Sequence, residues 1–164
     1  MSEVKLEKAT DIKELAKLAE SIWLEHWLPK LPKGQTEYMI EKFQSEKAII
    51  EQIANDNYVY FYLKEGDAIL GYTGLSLKPD QLFLSKLYVK AEFRNQGFGR
   101  KAFEEIKKFA RENGKDRVVL TVKKTNAPTI AAYKNWGFSI IDSIVTDIGS
   151  GYVMDDYVME YRLV

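Results

Sequence analysis

The chain has 164 residues, 46% of them hydrophobic and 29% charged, a composition that suits one globular domain over residues 1–164 and excludes a disordered polymer. Its 24 basic and 24 acidic residues cancel, so there is no basic excess to point to a nucleic-acid partner. Cysteine is absent and His26 is the one histidine, which removes disulfides, thiol nucleophiles, Cys-based zinc sites and any two-histidine mechanism.

The stretch without charge at 68–77 falls well short of the roughly 20 residues that span a bilayer. The N-terminal Met1-Ser2-Glu3-Val4-Lys5 lacks the apolar segment of a secretory signal. The expectation is a cytoplasmic protein with no membrane partner and no metal.

The spacing of Asp11 and Glu14 predicts a capped helix start, and Ile12, Leu15, Leu18, Ala19 and Ile22 recur along one helical face until the pattern fades near Pro29. A second amphipathic stretch, 36–54, breaks near Ser45. The period then shortens to two. Segments 58–63, 68–77 and 81–89 read as strands, and the short turns between them imply antiparallel pairing. A helix over 97–113 gathers Ala102, Ile106, Phe109 and Ala110 on one side and stops at Gly114. In the strand 117–122, the run Val118-Val119-Leu120 suggests burial on both faces, and strand–helix–strand implies a parallel pair. A short helix follows with Pro128 as its first residue, because proline pushes Ala127 toward extended geometry, and Gly137 ends it. Segments 138–147 and 152–163 form a closing hairpin. The expected class is α/β, a mixed (α+β) sheet with helices against it, in the order β-α-α-β-β-β-α-β-α-β-β.

The loop Arg94-Asn95-Gln96-Gly97-Phe98-Gly99-Arg100 joins a strand to a helix. Its glycines let amides turn toward one point, and the first helical turn adds unpaired N–H groups and the positive dipole end, a site for phosphate. Residues 86–101 hold five basic residues and one acid. A nucleotide P-loop, G-x-x-x-x-G-K-[ST], is absent. A dinucleotide fingerprint is formally present in Gly97-Phe98-Gly99-Arg100-Lys101-Ala102. It stands too far past Val89, however, and Lys123 and Lys124 occupy the place of the ribose-binding acid. A plain glycine turn is the remaining reading from the loop alone.

Arg94-x-x-Gly97-x-Gly99 after Leu84-Ser85-Lys86-Leu87-Tyr88-Val89 resembles the acetyl-CoA motif of the GNAT superfamily of N-acetyltransferases. The block Asn126-Ala127-Pro128-Thr129-Ile130-Ala131-Ala132-Tyr133-Lys134-Asn135-Trp136-Gly137-Phe138 is similar to a second motif of that family, with Thr129 at a position usually held by Ala. The order of elements agrees along nearly the whole chain. The resemblance implies the GNAT acyl-CoA N-acyltransferase fold, acetyl-CoA as cosubstrate, and direct transfer of acetyl to a primary amine. It places the CoA pyrophosphate on Arg94, Asn95, Gln96, Gly97, Phe98, Gly99 and Arg100. Pantetheine and the acetyl group then lie along Leu87, Tyr88 and Val89, with Asn126 nearby and Tyr133 as the acid that protonates the departing thiolate. Many relatives carry Glu where this chain has Ser85, and in some of them that Glu is the base; here the resemblance leaves Glu25, His26 or water for that task.

Residues 135–161 contain five acids, Asp142, Asp147, Asp155, Asp156 and Glu160, and no Lys or Arg. An acidic hairpin opposite a basic cofactor loop suits a cationic acceptor, with Asp155 and Asp156 as candidate contacts; adjacent on a strand, they should point to opposite faces. Residues 151–159 also resemble the ending of bacterial spermidine/spermine acetyltransferases. The expected partner is therefore a small-molecule amine of polyamine type. A protein or peptide acceptor and a non-catalytic acetyl-CoA-binding role are the alternatives. The resemblance also admits a homodimer.

Overall fold

In the computed structural model, which describes residues 3–163, Asp11 accepts the Glu14 amide at 3.1 Å and starts α1 (Ile12–Trp27) where the sequence spacing placed it. A preceding strand, β1 (Lys5–Lys8), lies along the sheet edge. The second amphipathic stretch divides into α2 (Gln35–Met39), a π-helical turn (Ile40–Gln44) and α3 (Glu46–Asn55). The break falls at Ser45, whose hydroxyl caps α3 by accepting the Ala48 amide at 3.1 Å.

Three antiparallel strands follow, β2 (Tyr58–Glu65), β3 (Ala68–Leu77) and β4 (Leu82–Val89). Then come α4 (Phe98–Glu112), β5 (Arg117–Lys123), α5 (Ala127–Trp136) and the hairpin β6 (Ser139–Gly149) and β7 (Tyr152–Arg162). The sheet order is β1-β2-β3-β4-β5-β7-β6, mixed through the parallel pair of β4 with β5. One boundary differs from expectation. Ala127 is already helical, and Asn126 is the residue before the helix. Pro128 then sits in the first turn, where its missing N–H has no partner to lose, and the bias against helix before proline is too small to exclude Ala127.

Each sheet face has its own cover. Against α4, the side chains of Leu75, Leu82, Leu84, Val118 and Leu120 bury with Phe103, Ile106 and Ala110. On the opposite face Tyr60, Tyr62 and Tyr72 pack beneath Leu15, Ala19 and Ile22 of α1 and Ile49 of α3. β4 serves both faces by means of a bulge. Leu75 pairs with Leu84 but Gly74 with Lys86, so Ser85 is an extra residue. Before it, Leu82 and Leu84 face α4; after it the alternation is inverted, with Leu87 and Val89 toward α4 and Tyr88 under α1.

Candidate functional site

β4 and β5 share two register pairs, Leu82 with Val118 and Phe83 with Val119, and then diverge. The gap opens into a cleft of about 800 Å³ that runs between both faces of the sheet and is bordered by Leu87, Tyr88 and Val89 on one bank and by Leu120, Thr121 and Val122 on the other. Backbone direction follows from one bond. The Lys90 amide donates to Leu70 of β3 at 2.8 Å, so in an alternating strand the N–H and C=O of Val89 point away from β3, toward the cleft. The Val89 carbonyl indeed accepts Arg94 Nε at 2.9 Å.

At one end of the cleft stands the start of α4. Gly97 precedes the helix with a φ of 82°, and no side chain caps the first turn. The amides of Phe98, Gly99 and Arg100 thus have neither an intrahelical partner nor a side-chain substitute, and all three residues line the cleft with Asn95 and Gly97. A Cβ at Gly97 would meet nothing, so glycine is needed there for its backbone conformation; a Cβ at Gly99 would lie 3.3 Å from the Trp136 ring, so that glycine lets α5 approach α4. The donor set fits a phosphate group of a CoA ester. Gln96 lies outside the lining and donates its amide to the Glu92 carbonyl at 3.0 Å. Arg94 reaches the cleft, but Glu25 occupies its guanidinium through two contacts of 2.8 and 2.7 Å. Arg100 is the other guanidinium in the lining.

Tyr133 comes from α5, in an aromatic group with Trp136 and Phe138 at 5.2 and 5.4 Å between ring centroids. It lines the cleft with Asn126, the residue that precedes α5. Burial, then the neighbouring Tyr88 hydroxyl, pushes its phenol well above the usual range, so it holds its proton throughout the physiological range.

The candidate acceptor residues separate. Asp156 is 5% exposed and lines the cleft, whereas Asp155 pairs with Lys124 at 2.9 Å outside it. The strand alternation expected for these neighbours holds. Burial raises the Asp156 carboxyl, opposed by Lys123 and Lys124 and reinforced by Asp155. Glu25 lies outside the lining, and the hydrogen bond from Arg94 holds its carboxyl below the usual range, so the structure does not bring it to the site as a base. His26 does line the cleft, edge-on to Trp27 at 4.6 Å. Burial, then Lys30 and Arg94, lowers its imidazole to about 4, which leaves it neutral and weakly basic.

Two features beside the cleft had no clear signal in the sequence. Lys86, 5% exposed, reaches over Gly74 and donates to the Phe43 carbonyl, to Gln52 Oε1 at 3.2 Å and to the Tyr60 hydroxyl. Tyr60, Gly74 and Lys86 form one register row, and a Cβ on Gly74 would sit 2.8 Å from the Tyr60 ring; glycine is what lets the two outer side chains meet. The second feature is a clasp between α2 and the closing hairpin. Tyr38 donates to the Ile148 carbonyl at 2.6 Å and Lys42 donates to the same oxygen, fastening the tip of the β6–β7 hairpin to α2. Trp23, Met39 and Ile148 are buried beneath it.

Among the described residues no group of three or more His, Asp or Glu is arranged to hold a metal ion, and no helix is long and apolar enough to cross a membrane.

The chain is similar to known proteins. A protein of Bacillus subtilis (strain 168), provisionally named a ribosomal protein bS18-alanine N-acetyltransferase, is 24% identical over 94 residues, which span 57% of this chain and 62% of that relative. The crystal structure of the PaiA N-acetyltransferase from Thermoplasma acidophilum in complex with coenzyme A superposes with a TM-score of 0.78 at 19% identity, covering 97% of this chain and 98% of the other. The ribosomal-protein-S18-alanine N-acetyltransferase from Escherichia coli gives 0.70 at 20% identity, over 99% and 94%. At these identities the superpositions speak for the fold. The sequence profile of the Acetyltransferase (GNAT) family matches residues 17–138, across the parting strands, the α4 loop and Tyr133, and the chain belongs to that family.

Proposed function

We propose that this protein is an acetyl-CoA-dependent N-acetyltransferase whose acceptor is a primary amine carried on an apolar body. The observation that supports it is the single cleft that connects the uncapped start of α4, the parted β4 and β5, Tyr133 and Asp156. The phosphates of CoA bind the amides of residues 97–100. The thioester lies along β4, where the cleft-facing N–H of Val89 polarises its carbonyl. Tyr133 gives its proton to the departing thiolate.

The acceptor side is apolar and aromatic, with Trp23, Trp27, Tyr88, Met39 and Phe43 in its walls, and Asp156 is its one carboxylate among the described residues. A polyamine carries several charges along its length and would need acids spaced to match. Of the five acids counted in the closing hairpin, four lie outside the lining, where they can serve solubility and not recognition. The cleft therefore favours one ammonium beside an apolar group over the polyamine suggested by the hairpin's composition. A peptide α-amine next to a small apolar side chain also meets that description, and the names of the ribosomal-protein relatives favour it as the second reading.

The test is release of CoA thiol from acetyl-CoA with phenethylamine, spermidine and a peptide that begins with a free alanine. The reading expects turnover with phenethylamine or the peptide to exceed that with spermidine. Turnover with spermidine alone would return the acceptor to the polyamine class, and tight acetyl-CoA binding without release from any amine would make the protein a binding module.

A further inference from the structure

The reaction needs a base. An ammonium of ordinary basicity costs about 4–5 kcal/mol to neutralise near pH 7. Neither Glu25, paired with Arg94 outside the cleft, nor His26, which holds a proton only below about 4, is suited to take that proton. Asp156 is different in place and surroundings. It projects from β7 into the cleft, and no protein donor engages its carboxylate among the described residues. It faces Lys123 across the β5 register and Ile144 across the β6 register, with Lys124 and Asp155 at its flank. From β4 it is within electrostatic reach of the Tyr88 hydroxyl, and Tyr88 in turn of Tyr133.

We propose that Asp156 is the general base of this site, a catalytic residue that receives the acceptor's proton on the α1 side of the sheet, opposite the α4 side where Tyr133 packs. The inference rests on the acetyl-transfer reading above. One ammonium proton passes to Asp156 as the nitrogen lone pair forms the C–N bond and the carbonyl π pair moves onto oxygen. When the carbonyl re-forms, the C–S bond breaks with its electron pair on sulfur, and Tyr133 supplies the proton that makes CoA thiol. The second nitrogen proton restores the Tyr133 hydroxyl, and Asp156 releases the first to solvent. The sum is acetyl-CoA and an ammonium giving an N-acetyl amide, CoA thiol and one proton. Burial favours the protonated carboxyl and so strengthens Asp156 as an acceptor of that proton.

The experiment compares two acceptors in wild type and Asp156→Asn. Phenethylamine is cationic at pH 7 and needs a base; p-toluidine is already neutral and does not. We expect kcat/KM for phenethylamine to fall by about 10²-fold or more while that for p-toluidine stays near wild type, the retained activity itself showing that the variant is folded. Asp156→Ala should regain phenethylamine turnover when formate is added, since a small carboxylate can enter the space left. Equal losses for both amines, or an Asp156→Asn variant as active as wild type with phenethylamine, would overturn the assignment. Where wild type turns over only the alanine peptide, the peptide takes the place of phenethylamine in the Asp156→Asn comparison; wild type that binds acetyl-CoA and acetylates none of these amines, the peptide and spermidine included, would instead overturn the acetyl-transfer reading, and the base with it.

Discussion

Lys86 ties the acid–base chemistry of the core to a measurable stability. The residue is buried beneath the π-helical turn and α3, and its ammonium has three hydrogen-bond acceptors, Phe43 O, Gln52 Oε1 and Tyr60 Oη, but no carboxylate among the described residues. Burial lowers its affinity for a proton from 10.5 in the unfolded chain to about 7 in the folded one. Between these values the unfolded state binds more protons, so this group adds stability as pH rises from about 7 and loses it as pH falls back through about 7. At pH 9 the solution lies two units above the folded value, and at about 1.4 kcal/mol per unit wild type gains roughly 3 kcal/mol from this one group relative to pH 6. Lys86→Met keeps the length of the side chain and cannot titrate. Urea unfolding of both proteins at pH 6 and pH 9 isolates the effect, because every other group cancels in the difference. We expect wild type to gain about 3 kcal/mol on the variant between those conditions. A difference that does not change with pH would show that Lys86 is not held in a dry, uncompensated site.

Three further outcomes follow from the geometry. Acetyl-CoA at a hundred times its Kd should stabilise the protein by about 2.7 kcal/mol, read as a Tm rise of several degrees, with NADH producing much less. Tyr133→Phe should leave acetyl-CoA affinity intact in calorimetry while turnover falls ~10²–10⁴-fold. Gly74→Ala forces a Cβ to within 2.8 Å of the Tyr60 ring, where overpacking typically costs about 1–3 kcal/mol, measurable by urea unfolding.

The legible parts of the sequence were those written in local chemistry. Asp11 and Ser45 cap the helices they were read to cap or break, and the Arg94–Gly99 loop sits before a helix whose amides lack partners. Strand ends at 68–77 were set by turn residues at each side. What escaped depends on contacts far apart in the chain. Nothing within ten residues of Arg94 predicts that Glu25, 69 positions away, neutralises it. Lys86 looked like one more basic residue of the phosphate loop, and its burial becomes visible only when Gly74 and Tyr60 fall into its register row. The strand alternation distinguished Asp155 from Asp156 but could not say which one faces the cleft, because that parity is fixed by pairing with Lys123 and Ile144.

The bulge at Ser85 has a consequence for how this chain can change. A side chain at 85 can be exchanged at modest cost: the hydroxyl accepts from Tyr58 at 2.7 Å, and Ser85→Ala forfeits about that one bond, ~1 kcal/mol. Removing the residue altogether closes the bulge: Leu84 already pairs with Leu75 and Lys86 with Gly74, so the ladder becomes regular and Lys86, Leu87, Tyr88 and Val89 keep their faces. Flattening the bulge with Ser85 retained in the ladder is the event that trades faces. Lys86 and Tyr88 would then be driven into the apolar layer beneath α4, and Leu87 and Val89 into the opposite wall. The bulge thus absorbs a one-residue change of length that regular pairing would pass on to every side chain beyond it, and position 85 is where this strand can lose a residue without moving its faces.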